Sequence, residues 1–483
     1  MAQQLRDKVA SGVAWSAAEK VGSMLLQMVV SIVVARLLMP QDFGVLAILT
    51  FFTALMTVVV DSGFSQTLIR KAEPTADDYK SVFVFNVVVS VALYAIMVAL
   101  APAIAAYYKL PIINHIAPVL MLLLPLSALC VIQNTIFARQ FRFATLSRIN
   151  FACSALSGAV AIAMACAGCG VWSLVGQRLS QMACKAVLLW RYGSWRCEGR
   201  FSRKALGEMS HFSFKLMGTD IISYLYNNIA QLFIGKIYSP STLGYFNQAQ
   251  KLKELPVTSA VQSFQSVTYP ALAGVKDNPA KLADSYRRVL MITAAVMFPV
   301  MTGMVAVADD MFMLLLGERW MPTVPYFKIL SLSGLFYPLS MIAYNILKVG
   351  GNGTLILRLE VVKKSIMTVI LAVTIPHSVT AVAWGLTAMT AVEFVLNAAA
   401  SLRFARLTIW QLIRSLLPVA LLSLTMYLAV TFATEHLLCD MSLPLRFTLQ
   451  ILTGVITYTA LGLLFRLEAL ADIKETITRM VGR

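Results

Sequence analysis

The chain has 483 residues, of which 59% are hydrophobic and only 13% charged, and its mean hydropathy is +0.75. That is too little charge to cover a water-exposed surface of this size, so a soluble globular fold is excluded. The formal net charge of +17 suggests nucleic acid as a partner, but the placement of the cations argues against it.

Apolar runs long enough to cross a bilayer recur from Val13 to Phe465, and about 20 such residues span the hydrocarbon core as a helix. Lipid offers the backbone no hydrogen-bond partner, so the runs must be helices or a closed barrel. Their length and weak two-residue alternation leave helices. The opening MAQQLRDKVASGVAW lacks the short apolar core and small-residue cleavage site of a secretory leader, so the first helix is expected to be retained. In chain order the expected spans are 12–38, 43–64, 80–105, 112–138, 146–168, 171–191, 211–237, 241–270, 287–308, 322–347, 355–375, 378–402, 411–432 and 446–466.

The connections alternate in charge. The N-terminus, every second loop with its flanks and the C-terminal tail carry 28 Lys and Arg, against Arg36, Lys109, Lys236, Arg319 and Arg446 on the other side. Such an asymmetry is what cytoplasmic retention of basic loops produces, with both termini inside. It also requires an even number of spans. The positive charge is therefore a topology signal, and no nucleic acid is implied.

A weak internal repeat divides the chain. ARLLMPQDFG at 35–44 aligns with GKIYSPSTLG at 235–244, pairing Pro40 with Pro240 and Gly44 with Gly244 at an offset of 200. Pro125-Leu126-Ser127 matches Pro338-Leu339-Ser340, and VWSL at 171–174 matches AWGL at 383–386, at offsets of 213 and 212. The expected organisation is a six-helix lobe over 1–195, then a basic cytoplasmic linker and second six-helix lobe over 196–407. An extra helix pair with a cytoplasmic tail would occupy 408–483. Halves with an even helix number share one orientation, which places a binding site at their interface.

Polar residues inside the spans follow the same repeat. Arg178, Gln181 and Lys185 lie on one face of the sixth helix, and the offset carries them onto Thr390, Glu393 and Asn397. Lys20, Gln27 and Ser31 share a face of the first helix and map onto Asp220, Asn227 and Gln231. A charge at mid-bilayer costs roughly 2.5–3.5 kcal/mol on insertion scales, so these faces need a protein or water environment. Matched stripes on four helices point to an aqueous cavity between two lobes; private interhelical pairing is the competing reading for the amides. Lys20 and Lys215 sit near helix ends, where they can snorkel. Lys251 and Lys253 flank Glu254 and Pro256 in the eighth helix and point in different directions. Among the acids, Glu393, Asp220 and Glu19 are the candidates for coupling transport to H+ or Na+; Asp61 reads as a loop-capping group.

The seven cysteines lie mostly in spans, and Cys166-x-x-Cys169 has no second ligand pair and reads as small packing residues. Four histidines form no zinc motif, and no nucleotide-binding or nucleophile motif is present. No catalytic site, metal or cofactor is expected, and the chain is not expected to be an enzyme.

The segment ARLLMPQDFGVLAILTFFTALMTVVVDSGFSQTLIRK at 35–71, preceded by Trp15, Ser16 and Glu19, resembles the first-helix signature of Wzx-type bacterial polysaccharide flippases, closest to the colanic-acid exporter group. The layout resembles the wider multidrug/oligosaccharidyl-lipid/polysaccharide exporter superfamily. The resemblance implies an all-α inner-membrane protein of about fourteen helices. Such a protein moves an undecaprenyl-pyrophosphate-linked repeat unit from the cytoplasmic to the periplasmic leaflet by alternating access. The partners it implies are that lipid-linked oligosaccharide, membrane lipids, and a polymerase and glycosyltransferases of the same pathway. A basic cavity suits a pyrophosphate, and Arg178, Lys185 and Lys251 are the residues assigned to it, with Lys20 and Lys215 at its ends. A drug exporter, which would favour acids in its cavity, and a lipid II flippase are the alternatives within the superfamily. A membrane glycosyltransferase would need a catalytic acid and long outer loops.

Overall fold

The computed structural model describes residues 22–61, 63–275, 278–350, 353–405 and 408–465. Each of the fourteen expected spans has a helical counterpart there. They are α1 (Gly22–Leu37), α2 (Pro40–Asp61) with α3 (Phe64–Arg70), α4 (Ala76–Tyr108), α5 (Ile113–Leu120) with α6 (Leu123–Arg139), α7 (Phe143–Cys166), α8 (Val171–Tyr192) and α9 (Arg203–Ile237). There follow α10 (Pro240–Gly274), α11 (Pro279–Ala306), the short α12 (Ala308–Leu315), α13 (Val324–Val349), α14 (Gly353–Thr374), α15 (Val379–Ala405), α16 (Ile409–His436) and α17 (Leu443–Leu464). Nine of the described helices are, by length and apolarity alone, able to cross a membrane. Those that fall short include α8, α9 and α10, which carry most of the charged residues singled out above. This is a multi-pass helical membrane protein.

By contacts the chain forms two compact units, 1–244 and 245–483, with the division inside α10. Unit 1 therefore holds α9 as well as the first six spans, whereas the repeat-based boundaries at 195/196 and 407/408 describe sequence correspondence.

Within unit 1 the helix ends are fixed by local chemistry. Thr75 and Asp78 form a reciprocal capping box at the start of α4, and Lys71 pairs with Asp78 at 2.7 Å. Arg139, at the end of α6, donates to the carbonyls of Leu68, Ile69, Lys71 and Ala72 and so satisfies the open C-terminus of α3. The basic connection between α8 and α9 is stitched down. Gln133 Nε2 donates to the Trp195 carbonyl at 2.9 Å, and the amides of Arg200 and Ser202 donate to Asp77 and Ser81 at 2.7 Å each. Phe83, Trp190 and Trp195 close an aromatic cluster beneath it.

The repeat itself reappears as a contact. A Cβ on Gly44 would collide with the Pro240 carbonyl, and one on Gly244 with the Pro40 carbonyl. The first turns of α2 and α10 thus cross backbone to backbone, each glycine under the other repeat's proline, an approach that only glycine permits.

Unit 2 is built around α11, α13, α15 and α16, whose core includes Tyr286, Leu290, Leu339, Ile346 and Val419. The C-terminal pair is tied into it. Arg446 of α17 forms a two-pronged ion pair with buried Asp310 of α12, Gln450 donates to the same carboxylate at 2.8 Å, and the Tyr458 hydroxyl donates to the Ala295 carbonyl at 2.9 Å.

Candidate functional site

Unit 1 encloses a cavity of 590 Å³ among α1, α2, α5, α6, α7, α8 and α9. From α8 it receives Arg178, Gln181, Met182 and Lys185; from α1, Ser23 and Gln27; from α9, Tyr224. Spacings of three and four on α8 bring Arg178, Gln181 and Lys185 to one face, as the helical period requires. Arg178 is exposed to the cavity and Lys185 half-exposed. No carboxylate is among the described lining residues. A volume of this size suits a small-molecule-sized headgroup.

Several polar lining residues had no signal in the sequence reading. Thr50, Thr53 and Thr57 of α2 follow a three–four spacing, and Asn150 and Ser154 project from α7. The threonines were hidden by their chemistry. Thr53 and Thr57 return their hydroxyl protons to carbonyls one turn back, those of Leu49 and Thr53, at 2.7 and 2.8 Å. A hydroxyl bonded within its own helix raises no cost that marks it in a sequence. Gln181 donates to Ser154 Oγ at 3.4 Å, so one of the expected cavity amides also bridges α8 and α7.

The other expected residues fall elsewhere. Lys20 and Glu19 lie outside the described residues. Lys215, Asp220 and Asn227 are exposed on α9 and Gln231 is half-buried there, and none of them lines this cavity. Asp220 lies within electrostatic reach of Asp61, whose carboxylate accepts the Ser65 hydroxyl. In unit 2, Lys251 is exposed on α10, while Lys253 donates to Ser333 Oγ at 3.3 Å and Glu254 accepts from Gln250.

Glu393 is half-buried on α15, with Lys363, Lys364 and Glu360 of α14 within electrostatic reach. Lys363 is itself buried, paired with Glu360 and stacked on the Tyr344 ring. Asn397 is a correction. It was expected in a cavity, but it is 1% exposed, and its Nδ2 donates to Ser340 Oγ at 2.9 Å. Small residues at Ser340, Ala343, Ala398 and Ser401 let α13 and α15 close around it, which turns a cavity position into a sealed seam. Cys166 and Cys169 are likewise exposed at the end of α7 rather than packed. Among the described residues no group of three or more His, Cys, Asp or Glu is placed to hold a metal ion.

An exposed guanidinium, a lysine, amides and hydroxyls thus line one chamber of unit 1, a lining chemically suited to a polar or anionic ligand. The fold superposes on a solved structure of the lipid II flippase MurJ in an inward closed conformation with a TM-score of 0.74, covering 93% of this chain and 98% of that one at 13% identity.

The chain belongs to the family described as polysaccharide biosynthesis protein, which it matches over residues 33–325. Its relatives include the succinoglycan biosynthesis transport protein ExoT of Rhizobium meliloti (strain 1021), 23% identical over 333 residues that cover 69% of this chain and 67% of ExoT. The lipopolysaccharide biosynthesis protein WzxC of Escherichia coli (strain K12) is 24% identical over 347 residues, 68% of each chain.

Proposed function

We propose that this chain is a flippase that moves a lipid-linked oligosaccharide repeat unit from the cytoplasmic to the outer leaflet of the bacterial inner membrane, for polysaccharide assembly. The observation that carries this reading is the unit 1 cavity, with Arg178 and Lys185 on one helix face and no described carboxylate beside them. Seven residues along α8 separate the two cations by about 10 Å. A pyrophosphate can hold the planar fork of Arg178 while Lys185 meets a neighbouring anionic or hydroxyl group, and the surrounding amides and threonines suit sugar hydroxyls. Charge-assisted bonds of this kind contribute roughly 1.5–3 kcal/mol each. The family and the transport and lipopolysaccharide relatives support the same cargo class. A drug exporter for cationic compounds would need acids where these cations stand.

The basic loops orient both termini toward the cytoplasm in this reading, which brings the chain beside the glycosyltransferases that build the cargo and delivers product to a polymerase across the membrane. Glu393, set among the α14 lysines, is the proposed coupling acid for H+ or Na+, with Asp220 second. Flipping requires no bond to be made or broken by this chain.

The test is export in a strain lacking its own flippase, with each variant's membrane level measured. Arg178→Ala combined with Lys185→Ala is expected to reduce polymer export at least tenfold at wild-type protein levels. Undiminished export by that double variant removes the assignment.

A further inference from the structure

Unit 2 holds a cluster of charges that takes no part in the cavity of unit 1. Its helices α14 and α15 pack against each other as an antiparallel pair. Lys363 stands ten residues into α14 from Gly353, and Glu393 stands twelve residues before α15 ends at Ala405. At 1.5 Å per residue both lie roughly 15–18 Å from the same end of the pair, so they share one depth.

Lys363 is only 4% exposed, although its ion-pair partner on the same helix, Glu360, keeps 37% of its side chain in the open. A lysine that needed nothing beyond Glu360 would extend with it toward the surface, because burying an ammonium is costly. Lys363 turns inward instead. Its ammonium stands 5.3 Å from the centroid of the Tyr344 ring of α13, which also carries Lys348 at 4.7 Å, and Glu393 of α15 lies within its electrostatic reach. The other described groups around Glu393 are Lys364 and Glu360 of α14 and Tyr337 of α13.

One buried ammonium thus has two acids to serve, a half-exposed one on its own helix and a deeper one across the helix pair. A bare carboxylate at the deeper position is the costly state in apolar surroundings. The lysine stem is long and flexible enough to change partners, and the π face of Tyr344 favours an ammonium between them. The pairing found here, Lys363 on Glu360, is one end of that exchange.

We propose that Lys363 is a tethered competitor for the coupling cation: it neutralises the Glu393 carboxylate when no proton or sodium ion is bound there, and retires to Glu360 when one is. The proposal rests on the reading of Glu393 as the coupling acid. It adds a positioning residue that lets the unloaded protein change conformation without carrying a bare carboxylate through the apolar interior.

The experiment follows the infrared carbonyl band of the protonated Glu393 side chain, identified by its loss in Glu393→Gln. The band is titrated against pH in the full chain, reconstituted in vesicles of phosphatidylethanolamine and phosphatidylglycerol. Removing a competitor lets the acid keep its proton to higher pH, so Lys363→Met should raise the midpoint by about one pH unit. Glu360→Gln takes away the lysine's other partner and should lower the midpoint, while Lys363→Arg should stay within about 0.3 units of wild type. In a strain lacking its own flippase, Lys363→Met should reduce polymer export at least fivefold at wild-type protein levels. Added to Glu393→Gln, the same change should cost less than twofold more. Midpoints that stay fixed in Lys363→Met and Glu360→Gln, or that move in the same direction, overturn the exchange. Export losses that simply multiply in the double variant overturn it too, since they would make Lys363 a structural prop. If the midpoints move as expected but Glu393→Gln exports like wild type with its gradient dependence intact, the coupling assignment of Glu393 fails, and the role of Lys363 in transport falls with it.

Discussion

Arg178, Gln181 and Lys185 of α8 and Thr390, Glu393 and Asn397 of α15 occupy corresponding positions, 212 residues apart, and meet different surroundings. On α8 all three side chains reach a cavity. On α15 the Thr390 hydroxyl donates to its own helix at Leu386, Glu393 faces the α14 lysines, and Asn397 is bonded to Ser340. The facing serines are bonded differently as well. Ser340 accepts the Asn397 amide, whereas its counterpart Ser127 donates to the Leu124 carbonyl of its own helix at 2.7 Å. A polar stripe becomes an open surface only where the opposing helix declines to satisfy it. Equivalent positions in a repeat are thus free to diverge, one lobe's stripe lining a cavity and the other's helping to close a seam.

Four substitutions break or sharpen that contrast. Arg178→Glu should have the largest effect, lowering export at least a hundredfold, because it replaces an anion's partner with a like charge. Export per unit of membrane protein is the measurement. Next, Glu393→Gln should remove the dependence of vesicle transport on an imposed proton or sodium gradient; transport that keeps its full gradient dependence would dismiss Glu393 as the coupling acid. Asn397→Ala should act on stability instead. Loss of its interhelical bond is expected to cost about 0.6–1.7 kcal/mol, read as a lower unfolding temperature in detergent, with export per molecule within twofold of wild type. The smallest effect belongs to Gln181→Leu, expected within threefold in export. Equal export defects in Asn397→Ala and Lys185→Ala would erase the distinction between the stripes.

Much of this was legible from the residues. Run lengths located a helical counterpart for each of the fourteen expected spans, nine of them long and apolar enough to cross a membrane among the described residues, and the α8 face followed from helical period alone. Gln27, expected in a cavity between two lobes, lines the cavity within unit 1. Boundaries were less accurate where polar caps lie beyond the apolar run: α9 begins at Arg203 rather than 211, capped by the Ser202 side chain on the Ala205 amide. What the sequence withheld were properties of neighbours. Thr50 and Thr57 look inert until a void opens beside them. Asn397 looks like a cavity amide until Ser340 is found opposite. Asn227 and Lys215 share a helix with Tyr224, but only Tyr224 points into the cavity of unit 1.

The crossing of Gly44 and Gly244 beneath Pro240 and Pro40 has a genetic consequence. Two stretches of the chain 200 residues apart are each other's steric boundary, so neither can drift alone. A methyl group gained in one must be absorbed by the main chain of the other, since no rotamer intervenes to give way. The first turns of the two repeats are mutually constrained, and a change at one must be read together with its twin.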